Sequence, residues 1–192
     1  MRFTGALSAL AIAALVVVAP HAAEARPRPS RMAVSNFSAN KTFGLGLILG
    51  APTGLSGKYF LTGDTALDFG LGFVGSYRRG GTGLHLHGDF LWHPVNLAET
   101  EPFYLPLYFG VGARFFDFND CYYDNRGNHI CYDDVAAIGV RAPIGVAFDF
   151  NNIPLDAFVE LALVLDFFVS DYYGDDIAVD LNAAIGARYW FE

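Results

Sequence analysis

Large apolar residues recur at every second position through eight segments of this chain, with glycine and charge on the positions between them. The segment 155–167 shows the pattern most fully. Leu155, Ala157, Val159, Leu161, Leu163, Leu165 and Phe167 share one parity, and Asp156, Glu160 and Asp166 share the other. Successive side chains of a β-strand point to opposite faces, so each segment predicts a strand with one uniformly greasy face and one that tolerates charge. Eight such segments behind a secretory leader predict an all-β fold, an eight-stranded antiparallel up-and-down barrel. Its greasy face would touch lipid, and side chains would fill its interior.

Composition agrees with that reading. The 192 residues suggest one domain. The chain is 53% hydrophobic and only 17% charged, yet its body holds no run of the roughly 20 apolar residues that a membrane-spanning helix needs. The net charge of −8 argues against a nucleic-acid partner, which would require clustered lysine and arginine.

Residues 1–25 read as a signal peptide: Arg2, an apolar run from Gly5 to Ala19, and the small-x-small site Ala23-Glu24-Ala25. An uncleaved anchor is the alternative, although the run is short and stops at Pro20. Residues 26–41 are polar, basic and proline-bearing, and predict a flexible periplasmic lead-in, with the barrel over 42–192.

The remaining strands are placed by their greasy parity. Phe43 to Leu49 and Leu55 to Leu61 form the first two, the latter setting Lys58 on the opposite face. Leu67 to Phe73 opposes Asp68, and Leu84 to Trp92 opposes His85, His87, Asp89 and His93. Phe103 to Phe115 opposes Tyr104, Tyr108 and Arg114; Ile138 to Phe148 opposes Arg141 and Asp149; Val179 to Phe191 opposes Asp180 and Arg188. A lysine or arginine at mid-membrane costs roughly 2–4 kcal/mol, which accounts for the absence of charge on the greasy parity. Tyr59, Trp92, Phe103, Tyr189 and Phe191 lie near strand ends and predict interfacial girdles.

Tight turns are expected at Thr62-Gly63-Asp64 and Asn151-Asn152, and long acidic, tyrosine-rich outer loops over Phe118 to Asp134 and Val169 to Asp176. The fourth connection is placed at Pro94 to Glu101, and the first, Ala51-Pro52-Thr53, is short.

The leader, the eight amphipathic strands and the aromatic-rich end resemble small eight-stranded outer-membrane barrels of the OmpA/OmpX type. Gly139-Val140-Arg141-Ala142-Pro143-Ile144-Gly145-Val146, then Leu155 to Leu165, then Ile185-Gly186-Ala187-Arg188-Tyr189-Trp190-Phe191 resemble more particularly a family of bacterial surface barrels of mostly unknown function, first recognised in spirochaetes. That resemblance implies residence in the outer membrane after passage through the periplasm. It also implies contact with outer-membrane lipid and lipopolysaccharide, and assembly by the barrel-assembly machinery through Tyr189 and Phe191. A monomer without cofactor is expected.

Several constellations could carry chemistry. Lys58, Arg114, Arg141 and Arg188 would meet Asp68, Asp89, Asp149, Asp156, Glu160, Asp166 and Asp180 inside, as an ion-pair network that neutralises buried charge. A narrow conducting pore is the alternative. His85, His87 and His93 share the interior parity with Asp89; hydrogen-bonded histidines are expected there rather than a zinc or copper site. Cys121 and Cys131 predict one disulfide in an oxidising compartment. A lipid-modifying hydrolase would need a nucleophile beside an oriented base, and Ser56 and Ser76 sit in no histidine motif, so no catalytic residue is assigned.

Tyr122, Tyr123, Tyr132, Tyr172 and Tyr173, set among aspartates, predict a loop surface able to bind an extracellular protein, or equally an acidic hydrophilic cap. A soluble lipocalin-like carrier is the rival architecture; it would turn the greasy parity inward. A structural or surface-interaction role is the expected function, with no catalysis.

Overall fold

The computed structural model describes residues 36–75, 82–123, 129–169 and 177–191. Its eight strands follow in chain order: β1 (Phe43–Gly50), β2 (Thr53–Phe60), β3 (Thr65–Gly75), β4 (Thr82–Glu99), β5 (Phe103–Tyr123), β6 (His129–Phe150), β7 (Leu155–Val169) and β8 (Ile177–Phe191). Each pairs antiparallel with the next, and β8 returns to β1 with Phe191 opposite Phe43, closing the barrel. The all-β, eight-stranded antiparallel barrel read from the period-two pattern is therefore the fold.

The predicted phase also holds strand by strand. In β7, Asp156, Phe158, Glu160, Ala162, Val164 and Asp166 are buried, while Leu155, Val159, Leu161, Leu163, Leu165 and Phe167 are exposed. The greasy parity is the outer wall in every strand, from Leu45 and Leu47 on β1 to Ile185 and Tyr189 on β8. Exterior aromatics gather at the end carrying the short turns: Phe43 stacks on Phe191 at 5.9 Å, Trp92 meets Phe90 at 4.7 Å, and Phe103 meets Phe148 at 5.8 Å.

The wall is uneven in height. β1 and β2 have 8 residues each, whereas β5 has 21 and β6 has 22. Gly50 takes φ 127°, a left-handed conformation that glycine adopts at no steric cost, and starts the tight turn into β2.

Three boundaries differ from those read off the sequence. The fourth connection shortens, because β4 continues through Pro94 to Glu99. Register shifts between Trp92 and Val95 put the proline at an irregularity, where its missing N–H leaves no ladder bond broken. The long outer loop of 118–134 is mostly ladder, with Tyr122 opposite Ile130 and Tyr132 opposite Asp120. Apolar alternation stops near residue 118, but backbone pairing does not depend on it. Residues 36–41, read as the end of a flexible lead-in, pack on the short-turn end: Phe37 is buried against Phe60 and His93, and the Ala39 N–H donates to the Gly63 carbonyl at 2.7 Å.

Interior glycines mark where large side chains lie against the wall. A Cβ at Gly145 would come within 2.4 Å of the Tyr108 ring and 2.6 Å of the Val159 carbonyl oxygen. Tyr108 is fully buried and cannot yield. Gly145→Ala is expected to destabilise the barrel by about 1–3 kcal/mol through overpacking. Gly88 faces outward, and a Cβ added there would meet nothing within 4 Å, so Gly88→Ala should be neutral or slightly stabilising. Chemical-denaturation midpoints of the two variants test the contrast.

Candidate functional site

The interior carries the chemistry-bearing side chains, in layers from the short-turn end upward. Phe37, Phe60, His93 and Trp190 form an aromatic floor, with Phe60 and Trp190 stacked at 5.5 Å and Phe60 and His93 at 5.0 Å. Lys41 closes the same end by pairing with Asp149 and donating to the Phe150 carbonyl at 3.0 Å.

Above the floor, the Arg188 guanidinium binds Asp68 and, at 3.2 Å, Asp156, and lies 4.1 Å from the centre of the Phe158 ring. The Lys58 ammonium sits 4.0 Å from Asp68, 4.4 Å from the centre of the Tyr108 ring and 3.1 Å from His93 Nε2. An ammonium can only donate, so Nε2 accepts and the neutral ring carries its proton on Nδ1, which faces the Asp64 carbonyl at 3.3 Å.

The middle layer centres on Arg141. Its Nε donates to Asp89 at 2.8 Å, its Nη2 pairs with Glu160, and Tyr108 donates its hydroxyl to the other Glu160 oxygen at 3.1 Å. At the long-hairpin end, Arg114 grips Asp166 through two nitrogens and reaches Asp180 at 3.2 Å.

Every member of the predicted network thus has an ionic partner, and Lys41 joins it as an unforeseen one. The register sets some partners side by side, Lys58 opposite Asp68 and Arg188 opposite Asp156, but it also sets like charges together. Asp68 lies directly opposite Asp89, and Asp149 opposite Asp156. Like charges facing each other on neighbouring strands repel. Arg188 and Arg141 relieve the first pair, and Lys41 and Arg188 the second. Asp180 is the exception to burial, its side chain 52% exposed at the barrel mouth.

The histidines are divided. His85 Nε2 and His87 Nδ1 stand 3.2 Å apart, while His93 belongs to Lys58 and the aromatic floor. Among the described residues no three histidine, cysteine, aspartate or glutamate side chains converge as metal ligands would. Ser56 is buried, and its hydroxyl has no hydrogen-bond partner among the described residues, so no base addresses it.

The interior also holds apolar bulk that the charge pattern did not announce: Ile48, Leu91, Phe158, Val164 and Trp190. Phase could have found them, since Phe158 lies between Asp156 and Glu160, and Trp190 two positions beyond Arg188. Cys121 faces Cys131 in the β5–β6 register. Tyr172, Tyr173, Ser76 and the leader lie outside the described residues, as do the side chains of Tyr122, Tyr123 and Tyr132. Tyr189 and Phe191 are outward on β8, their rings 5.1 Å apart. The chain matches no protein-family model, no curated protein and no solved structure, so the functional reading rests on its own sequence and geometry.

Proposed function

We propose that this chain is an outer-membrane barrel with a structural or surface-interaction role, acting through the hairpins at its long-hairpin end and without catalysis. The carrying observation is the inversion of polarity. Leucine, isoleucine, valine and phenylalanine side chains stand exposed around the wall, while arginine, lysine and carboxylates are buried within it. In water that arrangement would expose a continuous apolar surface far beyond the few hundred Å² a soluble monomer tolerates. In lipid it is the stable one.

The signal-like residues 1–25 support export, and the Cys121–Cys131 register supports a disulfide in the β5–β6 hairpin. Arg141 and Arg188 are each 1% exposed, which supports a filled interior over a conducting one.

The two tryptophans test the membrane placement. Trp92 is 39% exposed on the outer wall and Trp190 is 3% exposed inside. In vesicles of brominated lipid, fluorescence of the parent chain should be strongly quenched. Trp92→Phe should remove most of that quenching, because the remaining indole is shielded by the sheet. Equal, weak quenching in both proteins would refute insertion.

A further inference from the structure

β1 pairs with β8 only from Phe43 opposite Phe191 to Gly50 opposite Ala184. Beyond the β1–β2 turn, β8 continues to Ile177 along β7, but among the described residues no strand covers its other edge. The last bond on that edge runs from the Ala51 N–H to the Ala183 carbonyl, at 3.1 Å. Alternate residues of a strand aim their backbone polar groups to the same side, so Leu181, Val179 and Ile177 aim theirs into the gap.

Two observations mark this edge as open. The Leu181 N–H donates to the carboxylate of its own neighbour Asp180, at 2.9 Å, in place of a strand carbonyl. Ile177, Val179 and Leu181 are 62%, 69% and 66% exposed, among the most exposed apolar side chains of the wall.

We propose that this edge, Ile177 to Leu181, receives an extended segment of a partner polypeptide as an added strand, with apolar residues on the partner's outward parity and lysine or arginine on its inward parity. It rests on the surface-interaction reading. Strand addition satisfies the free backbone groups and extends the apolar wall past the notch above the short β1–β2 hairpin. Charge selects a basic partner. Asp180 stands at the mouth with one oxygen on Arg114 and the other on the edge amide. In sequence, the connection that leads into this edge also carries Asp171, Asp175 and Asp176. The same acidity disfavours pairing with a second copy of this edge.

The test uses the full mature chain in non-ionic detergent and a short synthetic peptide alternating valine and lysine. Without peptide, the Ile177 and Val179 amides should exchange with solvent much faster than those of Asp180 and Asn182, which face β7. Peptide should slow them about tenfold or more, as strand addition requires. Val179→Pro deletes an N–H that serves no ladder, and should weaken binding about tenfold or more, with Val179→Ala within about threefold of the parent. Ile177→Pro serves as a second blocking variant. A peptide alternating valine and glutamate should not bind.

Edge amides already protected in the isolated monomer overturn the proposal, as does a doubled mass that Val179→Pro abolishes, which would assign the edge to a second copy. Failure of the valine–lysine peptide to bind, or equal binding by the glutamate peptide, also overturns it. Peptide binding that survives both proline variants overturns the edge while leaving surface interaction elsewhere intact; failure of the brominated-lipid experiment instead removes the membrane reading beneath it.

Discussion

Arg141→Met is expected to lower the unfolding free energy of the barrel by about 3–5 kcal/mol, the cost of leaving buried carboxylates without their cation. Arg141 is buried and holds both Asp89 and Glu160, and Asp89 faces Asp68 across the β3–β4 ladder. Removing the guanidinium therefore exposes each carboxylate to another, with water excluded. The combined variant Asp89→Asn, Arg141→Met, Glu160→Gln removes the charges together and should recover most of the loss, because desolvation of both signs disappears along with their attraction. Guanidinium unfolding of vesicle-inserted protein measures both. A single variant within about 1 kcal/mol of the parent would show that Arg141 does not hold the interior together.

Leu161→Arg is expected to cost about 2–4 kcal/mol of stability in lipid, as for a cation at mid-bilayer on the lipid face of a strand. Leu161 is exposed midway along β7, remote from the turns at either end. The same change at Ile153, exposed in the β6–β7 connection, should cost only about 0–1 kcal/mol, because the proposed membrane placement puts a turn near the interface, where an arginine reaches water. A water-facing wall would give a different result: surface substitutions on soluble proteins usually stay within about 0.5 kcal/mol. Equal, small effects at both positions would therefore refute the lipid-facing wall directly.

Both experiments address the inversion of polarity from opposite sides. The wall variant asks whether charge is excluded outside, and the interior variant asks whether charge is required within. The filled interior also bears on what the molecule can offer a partner. With layers packed around Arg188, Arg141 and Arg114, the interior offers a partner little, and among the described residues the notch above the β1–β2 hairpin leaves the backbone of β8 without a paired strand.

The strands, their order and the face each residue takes were legible in the alternation, because a period of two leaves no freedom once one face must avoid charge. The sequence could not reveal that β5 and β6 remain paired beyond residue 118, since a hairpin ladder is held by backbone bonds that leave no side-chain signature. Nor could it place Phe37 or Lys41, whose polar, proline-bearing surroundings look like linker. The interior set of charges was readable from parity, but parity says only that a residue points inward.

Which carboxylate meets which cation was decided by closure and register. Arg188 reaches Asp68 across 120 positions of chain and past two intervening strands, β1 and β2, and Arg141 reaches Asp89 across 52 positions and past one, β5. Local pattern has a range of a few residues, whereas barrel closure brings the first and last strands side by side and staggers their facing residues. The chain alone therefore settled what faces in and what faces out. Three-dimensional closure settled the partners, the floor at the short-turn end, and the edge of β8 that no described strand covers, because unequal strand lengths become a gap only when the sheet joins itself.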